Sequence, residues 1–433
     1  MPAGAEFFRR RQAAAAFKHG ILSRYPVVFA AKAGLHTAGN RVVFVDGYAG
    51  AGRYDDGAPG SPLLFMQAAQ SMRDLRAVKA VFVEADEVNY QHLSELLGET
   101  APPDANYLPL HGELGRHLPA ILRDARGAAL FVFLDPFGTA LDRHQLCNSL
   151  LTQARREPTE VLLHFSVSTV ARIGGLVRKA HRANQRLTAS ERKTVATVDR
   201  FLGGDWWHAT FREIANDHDD GTANRAAMEV ADRYCREIGE QTGFRAVPIP
   251  VQPAPHLLPK YVLVLFTRHQ HGLWHFASTL GLAGRDWMGA YHAAEAKRAA
   301  AKTVAYEERH GLEPLFEFPE PEFDPDAYEQ SHRDEWIDTL AENIARLPQQ
   351  YGTFRPVDRT IEIYDSLMGQ AWDKHVRAAV KKLYDAGITT NDGKNKFWLR
   401  PLEIVVPSQH PGPSPDQPVI SSSAPEDVRP ESA

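Results

Sequence analysis

The stretch Val42-Val43-Phe44-Val45-Asp46-Gly47-Tyr48-Ala49-Gly50-Ala51-Gly52 decides how the rest of the chain is read. Four consecutive β-branched or aromatic residues predict a strand buried on both faces, and the glycines that follow predict a sharp loop at its carboxyl end. Ser61-Pro62 then reads as an N-cap with proline at the first helical position, opening a helix through about Met72. Strand, glycine loop and helix in that order are the start of a βαβ unit.

Working outward, the pattern repeats. Ala80–Glu84 predicts a second strand followed by a helix over 88–97, Asn106–Leu110 a weaker third, Ala129–Leu134 a fourth and Glu160–Phe165 a fifth. Helices between continuous apolar strands imply a parallel sheet covered on both faces. Phe244–Val251 and Tyr261–Thr267 are joined by too few residues for a helical crossover, so they predict an antiparallel pair at the sheet edge. The expected fold class is α/β: a Rossmann-like sheet with the strand count of a class I methyltransferase and a helical insertion at about 168–243.

Residues 1–312 are assigned to that domain, with a helical lead-in at 5–34 and one further helix at 284–310. Residues 313–335 read as an acidic linker. A winged-helix-like domain follows at 336–405, with helices at 336–347, near 361–367 and at 372–386, the last stopped by Gly387. Ile388-Thr389-Thr390 and Lys396–Leu399, around the turn Asn391-Asp392-Gly393-Lys394, predict the β-hairpin wing. The Pro- and Ser-rich tail at 406–433 reads as disordered.

The 433 residues carry 49 Lys and Arg against 54 Asp and Glu, so the molecule as a whole is no polyanion binder. Between 172 and 200, however, eight Lys and Arg face two acidic residues. Two cysteines, Cys147 and Cys235, are too few for a disulfide framework or a CxxC zinc knuckle. The charged start Glu6-Phe7-Phe8-Arg9-Arg10-Arg11 is followed by no apolar run of signal-peptide or membrane-span length, so a cytoplasmic protein without membrane contact is expected.

The chemistry-bearing residues fall at strand ends, where open α/β sheets bind ligands. Gly47, Ala49, Gly50 and Gly52 let the backbone approach a ligand closely, and Asp46 suits an ammonium group rather than a pyrophosphate, consistent with S-adenosylmethionine. Glu84, about thirty residues on, reads as the acceptor for ribose hydroxyls. Glu113 reads as an acceptor for an adenine amino group, with a solvated loop carboxylate as its alternative. Phe133-Leu134-Asp135-Pro136-Phe137-Gly138 is the sharpest signal. Asp135 and the Pro136 carbonyl can together accept hydrogens from an exocyclic amine, and Phe137 can stack on a planar base. The alternative is an Asp-Pro turn capping a helix.

Asp46–Tyr54 (DGYAGAGRY) with Gly60-Ser61-Pro62, Val83–Asp86, Leu134–Gly138 (LDPFG) and Glu160–Phe165 (EVLLHF) resemble the three-Cys-motif partner proteins, TcmP, over residues 18 to about 400. The resemblance implies a bacterial protein with a class I methyltransferase fold and a separate three-Cys-motif protein as partner. The glycine loop is also similar to the HAGAGRY stretch of an adenine-N6 methyltransferase of 23S ribosomal RNA. That group carries Asp-Pro-Pro-aromatic, and Asp135-Pro136-Phe137 lacks the second proline.

The expected activity is an S-adenosylmethionine-dependent N-methyltransferase acting on an exocyclic amine of RNA or DNA. The alternative is a non-catalytic scaffold that docks the three-Cys-motif protein. Arg178, Lys179, Arg182 and Arg186 on the insertion, and Lys374, Arg377 and Lys381 on the helix before the wing, are the candidate nucleic-acid contacts. Lys382, Lys394 and Lys396 extend the second group. His269, His271 and His275 follow the last strand and read as loop histidines; no metal site is expected.

Overall fold

The computed structural model describes residues 13–54, 57–136, 138–139, 141–217, 221–310 and 323–403. Its centre is a seven-stranded sheet in the order β3-β2-β1-β4-β5-β7-β6. The strands are β1 Arg41–Asp46, β2 Ala77–Glu84, β3 Tyr107–His111, β4 Ala129–Leu134, β5 Thr159–Phe165, β6 Arg245–Val251 and β7 Tyr261–Thr267. The first five run parallel, and β7 lies antiparallel to both β5 and β6. This is the parallel set with an antiparallel edge pair that the sequence predicts.

Alternation along the strands divides the core. Val43, Val45, Leu130, Val132, Val161 and Leu163 face one side, against α5 (Leu114–Asp124) and the insertion helices. Those helices are α6 (Val167–Arg182), α7 (Ala189–Leu202), α8 (Trp207–Glu213) and α9 (Thr222–Thr242), where Trp207 is fully buried. Val42, Phe44, Phe131, Phe133 and Leu162 face the other side. There α1 (Ala13–Leu22), α2 (Tyr25–Ala33), α3 (Ser61–Met72) and α10 (Gln270–His310) cover them. The helix α4 (Glu87–Thr100) leads from β2 to β3. A sheet buried on both faces needs continuous apolar strands, and Ala129–Leu134 is buried at every position.

Several boundaries depart from the sequence reading. The lead-in is two helices broken at Ser23-Arg24, with residues 5–12 outside the described set. Gly60, not Ser61, occupies the N-cap of α3. The helix expected at 284–310 starts at Gln270, so His271 and His275 lie on its first turns rather than in a loop. Of the expected linker, residues 313–322 lie outside the described set. The rest opens α11 (Pro325–Tyr351), whose N-cap Asp324 accepts the amide hydrogens of Asp326 and Ala327.

A third core joins Trp274 and Ala277 of α10 to α11 and α12 (Asp373–Asp385), so the C-terminal helices share one helix with the sheet domain. Gly281 and Gly284 allow this close approach. A Cβ on them would lie 2.1 Å from the Ala371 carbonyl oxygen and 1.8 Å from that of Gly369.

The wing does not form. Residues 388–401 contain no strand; Phe397–Leu399 is a single 3₁₀ turn, Thr389 is an isolated bridge residue, and another isolated bridge pairs Phe354 with Leu402. Side chains take the backbone groups a ladder would need: Asn391 donates to the Phe397 carbonyl and accepts from Gly393, while Arg377 and Arg400 donate to the Gly393 and Lys394 carbonyls. The tail at 406–433 lies outside the described residues.

Candidate functional site

The site is built at the carboxyl ends of β1, β2, β4 and β5. Asp46 ends β1 fully buried. Its Oδ1 accepts the Tyr48 amide at 3.2 Å, and its buried Oδ2 has no hydrogen-bond partner. Burial pushes its carboxyl up to about 7; the Ser61 hydroxyl and the Tyr48 amide offset part of this, and the Asp135 charge adds to it.

Backbone bonds pin the glycine loop from Gly47 to the Phe133 carbonyl, from Ala49 to the Val83 carbonyl and from Gly60 to the Gly52 carbonyl. Gly47 and Gly52 are closely packed, since a Cβ on either would stand 2.7 Å from a leucine methyl. Gly50 and Gly52 both have positive φ, +62° and +84°, but only Gly50 has open space where a side chain would project. Glu84 grips this loop, its Oε2 accepting the Gly50 amide at 2.7 Å and its Oε1 the Asp86 amide at 2.8 Å. Each oxygen keeps a second lone pair. Glu113 is exposed at the head of α5 and makes no capping bond.

Asp135 is not the free carboxylate its motif suggests. Lys18 on α1 pairs with its Oδ2, and Nδ1 of His164 on β5 pairs with its Oδ1. Register places the histidine there: Leu134 pairs with Leu163, so Asp135 and His164 follow side by side. Although burial opposes it, Lys18 and His164 together hold the Asp135 carboxyl far below the usual carboxylate range. Burial lowers the Lys18 ammonium, but Asp135 outweighs it and holds the group well above its ordinary value. The buried Pro136 carbonyl accepts the Gly138 amide at 2.9 Å, leaving one lone pair. Phe137 lies outside the described residues.

Three residues of this cluster, Lys18, His164 and Tyr261, are not among the candidate site residues read from the sequence, although His164 lies within the EVLLHF block. The Tyr261 ring stands edge-on to the His164 imidazole, centroids 4.3 Å apart, and its hydroxyl donates to the Ala14 carbonyl at 2.5 Å. A histidine in the otherwise apolar end of the buried strand EVLLHF was the available signal for His164. Nothing local marks Lys18.

The two basic patches differ. Lys374 pairs with Glu329, Arg377 with Asp373, Lys381 with Asp385 and Lys382 with Asp338, so the α12 cations are engaged within the chain. On the insertion Arg178 donates to the Asp217 carbonyl, whereas Lys179, Arg182 and Arg186 are exposed. Arg182 and Arg186 have no ion pair among the described residues.

A cavity of about 350 Å³ lies apart from the glycine loop, between the end of β6, α10 and α11, with Phe17, Trp287, Trp336 and Trp372 in its walls. At the amino end of β5, His269, His271 and His275 border a small pocket with Glu160. No group of three or more His, Cys, Asp or Glu is placed to hold a metal ion among the described residues. No described helix is long and apolar enough to cross a membrane.

Comparison with known proteins adds no identity: no family model and no curated protein matches the chain.

Proposed function

We propose that the chain is a cytoplasmic methyltransferase that binds S-adenosylmethionine at the carboxyl edge of the sheet and methylates an exocyclic amine of a nucleic-acid base. The observation that carries this reading is the unpartnered, buried Oδ2 of Asp46 at the end of β1, in the same strand-end loop as Gly50, which has open space where a side chain would project. A buried carboxyl oxygen left without a partner fits a ligand ammonium. The strand order and the antiparallel edge pair support the same class of fold. Asp46 would meet the amino group, the remaining lone pairs of Glu84 the ribose hydroxyls, and Glu113 the adenine amine. The exposed arginines of the insertion would meet phosphates. Asp135 changes role: with both oxygens engaged it serves as an anchor for Lys18 and His164, and the Pro136 carbonyl is left to accept an amine hydrogen.

That same engagement favours a second reading, in which the pocket is retained without turnover and the chain docks a three-Cys-motif protein, the partner that the TcmP resemblance implies. Transfer of tritiated methyl onto total cellular RNA, DNA and protein, with and without that partner, tests the two. Label in RNA or DNA is expected. Cofactor binding with no label in nucleic acid under either condition would favour the scaffold.

A further inference from the structure

We propose that His164 is a catalytic residue, the proton acceptor of this site, with Asp135 as its positioning residue; the inference rests on the methyltransferase reading above. An ionised carboxylate only accepts, so the His164 nitrogen facing Asp135 carries the proton. In the neutral ring Nε2 is then a bare lone pair. Nε2 is buried and has no hydrogen-bond partner. The nearest phenol does not satisfy it, since the Tyr261 hydroxyl is spent on the Ala14 carbonyl. A buried acceptor left unpaired beside a held carboxylate is the arrangement of a base awaiting a proton.

The groups facing His164 are Asp135 from β4, Lys18 from α1 and Tyr261 from β7, with Asp46 and Tyr54 around the Lys18–Asp135 pair. Lys18 keeps Asp135 ionised, and an ionised Asp135 stabilises the imidazolium. The chemistry supplies a proton for such a group. When the amine lone pair bonds to the methyl carbon, the carbon–sulfur bond of the donor breaks with its pair left on sulfur, and the nitrogen holds one proton too many. That proton passes to Nε2 of His164.

The test is a two-bond ¹H–¹⁵N correlation spectrum of the histidine-labelled wild-type chain, with His164 assigned by loss of its signals in His164→Gln. The expected result is the neutral tautomer protonated on Nδ1, shifting in Asp135→Asn. A tautomer protonated on Nε2, donating toward the Tyr261 ring, would overturn the proposal. Transfer of tritiated methyl to pooled RNA and DNA adds the kinetic arm. The wild-type rate should rise with pH and level off; in His164→Gln it should fall about 100-fold or more and lose that slope, with cofactor affinity within about twofold of wild type. An unchanged rate and slope in His164→Gln, with cofactor still bound, sinks this inference and leaves the site reading standing. A wild type that binds no cofactor removes both.

Discussion

Lys18 and Asp135 form an ion pair across 117 positions of sequence, joining the first described helix to the end of the fourth strand. The pair is mostly shielded, with side chains 14% and 17% exposed. Removing one partner leaves the other charge uncompensated. Lys18→Met is expected to destabilise the fold by roughly 3 kcal/mol. Lys18→Met with Asp135→Asn should cost clearly less than the sum of the single changes. Urea unfolding of the four proteins gives the coupling; additive effects would show that the pair is not a unit.

The carboxyl group of Asp46 gives a pH dependence of known sign. Its folded value stands near 7 against 3.8 unperturbed, so the folded chain holds a proton there that the unfolded chain has released. The associated stability is complete below pH 3.8 and is lost as pH rises through 7, where a buried charge must be carried. The loss is on the order of 4 kcal/mol at about 1.4 kcal/mol per unit. Asp46→Asn should therefore unfold at higher urea than wild type at about pH 8, an advantage that shrinks as pH falls and disappears below pH 3.8. The same variant should bind the cofactor at least roughly tenfold more weakly. Parallel stability curves for the two proteins would show that Asp46 does not titrate in this window.

How much of this was legible in the sequence depended on distance along the chain. Val42–Val45, Ala129–Leu134 and the glycine loop announce themselves because a buried parallel strand and a positive-φ turn are local demands. Gly47, Gly50 and Gly52 could not be told apart: Gly47 is pressed by Leu114, Gly52 is both pressed by Leu96 and held at positive φ, and Gly50 has positive φ with open space beside it. Lys18 and His164 meet Asp135 through register and helix packing, which no local spacing encodes. The segment around Asn391 imitates a hairpin because turn residues flanked by Ile388 and Phe397 fit a wing. Asn391, Arg377 and Arg400 instead take the backbone bonds that such a wing would need. The start of α11 is hidden because Asp324-Pro325 reads equally as linker and as cap.

Close packing of α10 makes a sharp prediction about the C-terminal helices. A methyl on Gly284 would stand 1.8 Å from the Gly369 carbonyl oxygen, a backbone atom that cannot yield by rotating. Gly284→Ala should cost about 2 kcal/mol or more and expose the 365–372 segment to protease. Gly50→Ala, with nothing within 4 Å of the added methyl, carries only the smaller penalty of its φ. Equal melting temperatures for Gly284→Ala and wild type would contradict the close approach.

If the insertion meets phosphates, its exposed cations should set the salt dependence of nucleic-acid binding. Arg182→Ala with Arg186→Ala should lower the slope of log affinity against log salt on duplex DNA by up to about 0.9 for each phosphate no longer neutralised. Lys381→Ala, which removes a cation already paired with Asp385, should leave that slope unchanged. The opposite pattern would move the interface to the C-terminal helices.

Calorimetric titration of S-adenosylmethionine into the wild-type chain and Gly50→Asp tests the central claim most directly. Gly50 faces open space, so a side chain there fills the proposed pocket while leaving the surrounding core in place. Saturable binding to the wild type at one site per chain, abolished in a folded Gly50→Asp, is the predicted result. No binding to the wild type, or equal binding to both, would contradict it.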